Sequence, residues 1–196
     1  MDINLNKRYR DAELERMPIL DAYNLICNGK YYSKFHSTFW LNRAKARQDA
    51  ISLTQYVFSS ISKTKLDDLP RSVTEQTFKR LKLDSMLRDI FNGRISDALM
   101  SAFPNQFNLL QFDEAEPKDF SDEKCAEAVR WLVEDKLHMT VDEAYRELTV
   151  SAFSRYHLIV MLVRNYKSDV TRALNCAYPN NKHSKGLFKQ IKSIFS

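Results

Sequence analysis

Two stretches of the chain say nearly the same thing: ISDALMSAFPN from Ile95 to Asn105, and VTRALNCAYPN from Val170 to Asn180. At that spacing of 75 (95 to 170) and without a gap, Phe78 meets Phe153, Arg80 meets Arg155, Leu83 meets Leu158, Met86 meets Met161, Leu87 meets Leu162 and Phe91 meets Tyr166. The matched positions are mostly apolar and recur at steps of three and four, the helical period, so the stripe that faces a core has been kept while the exposed positions have diverged. The expected fold class is all-α: two related helical units packed together, each carrying a helix-turn-helix-like corner. In each corner a helix, 83–91 or 157–165, turns into the short quoted helix, which Pro104 or Pro179 stops.

Upstream the likeness loosens. A long helix over 42–61 has its counterpart in 121–137, with Ala50, Ile51 and Leu53 set against Ala128, Val129 and Trp131 at a spacing of 78 (50 to 128). Ser121 before Asp122 and Glu123 is a helix start, and Thr140 to Glu143 has capping-box spacing. An amino-terminal helix is expected near 10–27, carrying Pro18. The expected organisation is an amino-terminal helical segment (1–36), a first unit (37–106), an acidic connector (107–119), a second unit (120–181) and a basic amphipathic tail (182–196).

With 3 Gly in 196 residues there is no glycine-rich phosphate loop, which argues against nucleotide-binding folds of that kind. Cys27, Cys125 and Cys176 are far apart and odd in number, so neither a disulfide framework nor a metal centre is expected. The charged amino terminus lacks the apolar stretch of a signal peptide, and the longest apolar run, Leu158 to Val163, is far short of a membrane span. A cytoplasmic protein with no cofactor and no membrane contact is expected.

The net charge of +5 hides a pattern: 17 Lys and Arg against 12 Asp and Glu over 1–105, 5 against 12 over 106–150, and 8 against 1 over 151–196. Basic repeats flanking an acidic middle suit phosphate contact, which needs Lys and Arg but no particular fold. The candidate nucleic-acid contacts are Lys79, Arg80, Lys82, Arg94 and Asn105 in the first copy, and Arg155, Lys167, Arg172, Asn175 and Asn180 in the second. Ser96, Asp97, Ser101 and Thr171 should share the exposed side of the second helix of each corner, where Arg, Asn, Ser and Thr read base edges. Duplex DNA is the expected partner, in the role of a regulator or accessory factor of phage or mobile-element type.

A second surface is apolar. Where the first copy has Asp84, Ser85 and Arg88, the second has Ile159, Val160 and Val163, while the tail sets Leu187, Phe188, Ile191 and Phe195 on one helical face. These residues are the candidate interface, closed within one chain, by a homodimer, or by a protein partner that the chain inhibits or adapts. Catalysis is not expected. The four histidines show no ligand spacing, no nucleophile stands beside a base, and Glu114, Glu116 and Lys118 imitate a nuclease motif that belongs on a strand.

Overall fold

The computed structural model describes residues 12–30 and 34–181, and among them there are helices and turns but no β-strand. Two compact units divide the chain between Pro104 and Asn105. The amino-terminal segment and the connector therefore do not stand apart: residues 12–30 fold with the first unit and 107–119 with the second. Burial is the reason in the latter case, since Phe107, Leu110 and Phe112 are each no more than 5% exposed.

In the first unit a helical stretch over 12–16 precedes α1 (Ile19–Cys27), α2 (Ser37–Leu41) and α3 (Ala46–Tyr56). The helix expected across 10–27 is broken at Pro18, which has no N–H to donate and holds ψ at 138°. Arg43 ties the broken stretch to α3, its Nη1 donating to Glu15 O at 2.7 Å and its Nη2 to Met17 O at 2.8 Å. A 3-10 turn (Leu66–Asp68) runs into α4 (Leu69–Ser72), followed by α5 (Glu75–Arg80), α6 (Asp84–Phe91) and α7 (Ile95–Ala102). The second unit opens with 3-10 turns at Leu109–Gln111 and Pro117–Phe120, then α8 (Asp122–Arg130), α9 (Val141–Glu147), α10 (Val150–Arg155), α11 (Ile159–Tyr166) and α12 (Val170–Ala177). The capping box expected at Thr140 is formed, with Glu143 N donating to Thr140 Oγ1 and Thr140 N to Glu143 Oε2.

From Leu66 and Val141 onward the two units keep the 75-residue step helix by helix, α5, α6 and α7 ending 75 residues before α10, α11 and α12. The long helices obey the same step, not the expected 78. At 75, buried Ala50, Leu53, Thr54, Val57 and Phe58 meet buried Cys125, Ala128, Val129, Leu132 and Val133; at 78, Val57 would meet exposed Asp135. A slip of three is nearly one helical turn, so an apolar stripe alone cannot distinguish the two registers. Both long helices also end in a widened π turn, closed by Ser62 N to Val57 O (2.8 Å) and Leu137 N to Leu132 O (3.0 Å).

The turns repeat too. Lys82 and His157 hold left-handed backbone (φ 62° and 58°) in matching Schellman closures, with Leu83 N bonded to Phe78 O and Leu158 N to Phe153 O. Asn92 and Gly93 are both left-handed after α6, and so are Lys167 and Ser168 after α11, although the second pair has no glycine. The loss of that glycine changes the side chains of the turn and leaves its path alone. Leu99 and Leu174 face inward, 0% and 1% exposed, as the stripe requires. α7 packs chiefly on α3, and α12 on α8.

Candidate nucleic-acid interface

The corners are alike in backbone and unlike in what they show to solvent. No residue from Arg94 to Phe103 is more than partly exposed, so α7 shows less of itself to solvent than the expected reading helix would. Ser96, expected on the exposed side, is fully buried. Arg94 is half-buried, with Nε 3.6 Å from Asp97 Oδ1. In the second unit the start of α12 is open, with Thr171 and Arg172 exposed.

Other candidate side chains are engaged inside their own unit. Lys82 Nζ donates to Ile26 O at 3.0 Å and Cys27 O at 3.4 Å, closing the carboxyl end of α1, where carbonyls have no helical partner and a cation is favourable. Asn175 Oδ1 accepts from Tyr145 Oη at 2.7 Å, joining α12 to α9. Asn105 and Asn180 are exposed, and Asn105 O accepts from Trp131 Nε1.

What remains is a set of five exposed cations: Lys79 and Arg80 at the end of α5, Arg155 at the matching end of α10, Lys167 in the turn after α11, and Arg172 on α12. Among the described residues none of the five pairs with a carboxylate. Arg80 and Arg155 sit at identical places in the duplicated backbone. Exposed Asp122, Glu123 and Glu127 line α8 of the second unit.

The apolar face is present as well. Val160 and Val163 are 50% and 53% exposed on α11, Ile159 is half-buried, and Val150 on α10 adds a third valine at 42%. Val150 was not a candidate, yet it was findable, because its counterpart at the 75-residue step is Glu75. Leu187, Phe188, Ile191 and Phe195 lie outside the described residues.

The reactive groups are ordinary. Cys125 is fully buried in the second unit's core, and burial pushes its thiol up to about 11. Glu116 and Lys118 form an exposed pair at 2.8 Å at the edge of a 3-10 turn, with no strand among the described residues to carry them. Among the described residues no group of three His, Cys, Asp or Glu side chains could hold a metal ion, and no helix is long and apolar enough to cross a membrane.

Fold and surface together define a tandem all-helical protein whose halves share one backbone plan and differ in charge and exposure. The chain belongs to the family described as Protein of unknown function (DUF4046), whose model matches residues 19–108 and again 115–183, in keeping with the duplication. No curated protein and no solved structure matches it.

Proposed function

We propose that the protein binds duplex DNA along its phosphate backbone, as a regulator or accessory factor of phage or mobile-element type, without catalysing a reaction. The observation that carries this reading is the repeated exposed arginine, Arg80 and Arg155, at one position of a duplicated backbone, unpaired with any carboxylate among the described residues in both copies. Surface cations free of carboxylates release counterions when they meet phosphate, and that release supplies most sequence-independent affinity. Lys79, Lys167 and Arg172 extend the set. Base reading is poorly served by α7, whose residues are buried or only partly exposed; Thr171 and Arg172 are the nominated helix residues most open to a groove. Binding is therefore sequence-tolerant.

The test is fluorescence anisotropy with labelled duplexes of unrelated sequence at low salt. Arg80→Glu with Arg155→Glu should weaken binding to every duplex by a similar factor, and unchanged affinity would sink the proposal. The second reading, an interaction protein that inhibits or adapts a partner, is favoured by the exposed valines of α10 and α11. A chain that binds no duplex at low salt would fit that reading.

A further inference from the structure

The first unit shows how the outer side of its α5–α6 corner is used. A short helix of the same chain docks there, α2 packing on α6. Trp40 Nε1 donates to Ser85 Oγ at 3.2 Å, Ser85 Oγ to Phe35 O at 2.9 Å, and Arg88 Nη2 to Ser37 Oγ at 2.6 Å. Next to this contact a cleft of about 420 Å³ has a charged lining that includes Glu75, Lys79, Asp84 and Arg88.

The second unit keeps the corner and loses its cover. At the 75-residue step the counterpart of α2 is 112–116, which holds no helix. Ser85 is 2% exposed, whereas Val160 in its place is 50% exposed. The charged lining also goes: Glu75 is replaced by Val150, Lys79 by Ser154, Asp84 by Ile159 and Arg88 by Val163. The chain leading into α8 is engaged elsewhere, Gln111 Nε2 donating to Tyr156 O at 2.9 Å and Asn165 Nδ2 to Phe120 O at 2.8 Å.

The open face is apolar with a basic border. Val160, Val163, Arg164 and Lys167 follow one another at steps of three and four and are all exposed, so they form one stripe along α11. Arg155 is exposed at the end of α10, and neither α10 nor α11 contains a carboxylate. The nearest in sequence are Glu147, which ends α9, and Asp169, whose Oδ1 accepts from Arg172 N.

We infer that the α10–α11 face receives an amphipathic helix of another protein, with its apolar stripe on Val160 and Val163 and its carboxylates beside Arg164 and Lys167. The first unit's corner already takes a short helix, and Val160 stands where that helix bonds Ser85. Aliphatic side chains left half-exposed on neighbouring helices are what helix-in-groove recognition uses, the incoming helix supplying anchors at steps of three and four. The border cations select carboxylates. They also disfavour a second copy, because two-fold pairing of this face would set Arg155, Arg164 and Lys167 against their own equivalents. This rests on the interaction reading, for which it names the partner's chemistry, and not on duplex binding.

Fluorescence anisotropy of the full chain with two labelled helical peptides of about 16 residues tests it. One carries leucine at helical spacing with glutamate between, and the other has lysine in place of every glutamate. The glutamate peptide should bind, and Val160→Ser/Val163→Arg should weaken it at least about tenfold although the variant gains a cation. Those substitutions install the residues that the first unit carries on the same backbone, so the fold is retained, as circular dichroism will verify. Val150→Glu, likewise a first-unit residue, should weaken the peptide by a similar factor. Both variants should remain folded, and the first should bind duplex no more weakly than the natural chain, which separates a failed docking face from a failed duplex site. No binding of the glutamate peptide, or binding that the substitutions leave unchanged, would overturn the inference. Valine-dependent binding of the lysine peptide alone would overturn the acidic partner and keep the interaction reading. Valine-dependent adsorption to phosphatidylglycerol vesicles without peptide binding would overturn it in favour of a membrane surface, and a valine-dependent dimer in favour of a second copy.

Discussion

Replacing Ser85 by alanine should unfold the first unit far more readily than a one-atom change on a helix surface would suggest. Ser85 is 2% exposed and its hydroxyl has two partners: it accepts from the Trp40 indole at 3.2 Å and donates to Phe35 O at 2.9 Å. Alanine leaves a buried N–H and a buried carbonyl without partners, each costing about 1–3 kcal/mol. Relief of the hydroxyl's own desolvation returns about 1 kcal/mol, so the net loss is about 1–5 kcal/mol. For a unit of this size each kcal/mol moves the thermal midpoint by about 4–8 °C, which puts the expected drop at about 4 °C or more. Trp40 is 2% exposed, so a red shift of its emission marks the transition. The matching change, Val160→Ala, acts on a residue 50% exposed and should cost no more than about 0.5 kcal/mol. A Ser85→Ala protein within about 0.5 kcal/mol of the natural one, or a Val160→Ala loss as large, would refute the contrast drawn between the two faces.

Leu99→Ala and Leu174→Ala remove the same side chain from the same place in two cores, 0% and 1% exposed, and each should lose about 2–5 kcal/mol in urea unfolding. Gly93→Ala should cost about 1 kcal/mol although a Cβ there meets nothing within 4 Å, because the penalty lies in the backbone at φ 78°; calorimetry checks it. Asp119 accepts from Lys124 Nζ at 2.6 Å and from Glu116 N at 2.9 Å, and these bonds hold its carboxyl below the usual carboxylate range. The stability it contributes is complete above an unfolded pKa near 3.9 and is lost as pH falls through the lowered folded value. Asp119→Asn should therefore flatten the acid limb of a stability-versus-pH curve below about pH 4.

Residues whose role is set by apolar periodicity were legible in the sequence. The pairing of Leu99 with Leu174 fixed both inner faces, and Thr140 with Glu143 announced a capping box. The long-helix register was not legible, because sliding Ala50 from Cys125 to Ala128 preserves an apolar stripe and only the exposed Asp135 exposes the error. Nor was the role of Lys82, whose partners are backbone carbonyls 55 and 56 residues away, and a carbonyl has no sequence signature. In the repeated closures Asn92 and Gly93 carry residue types that signal a left-handed turn; Lys82, His157, Lys167 and Ser168 do not, and adopt the conformation because the repeated closure demands it. Ser96 misled because an isolated serine looks like surface, whereas a residue small enough to fit a packed interior is buried there.

The salt dependence of duplex binding bears on the proposed function without intermediaries. With one phosphate met by each of Lys79, Arg80, Arg155, Lys167 and Arg172, log K against log salt should fall with a slope of about −4.5, at about −0.9 for each phosphate. Arg80→Ala with Arg155→Ala should reduce that slope to about −2.7, on duplexes of any sequence. Absence of binding at low salt, or a slope that the double substitution leaves unchanged, would contradict backbone binding through the duplicated arginines.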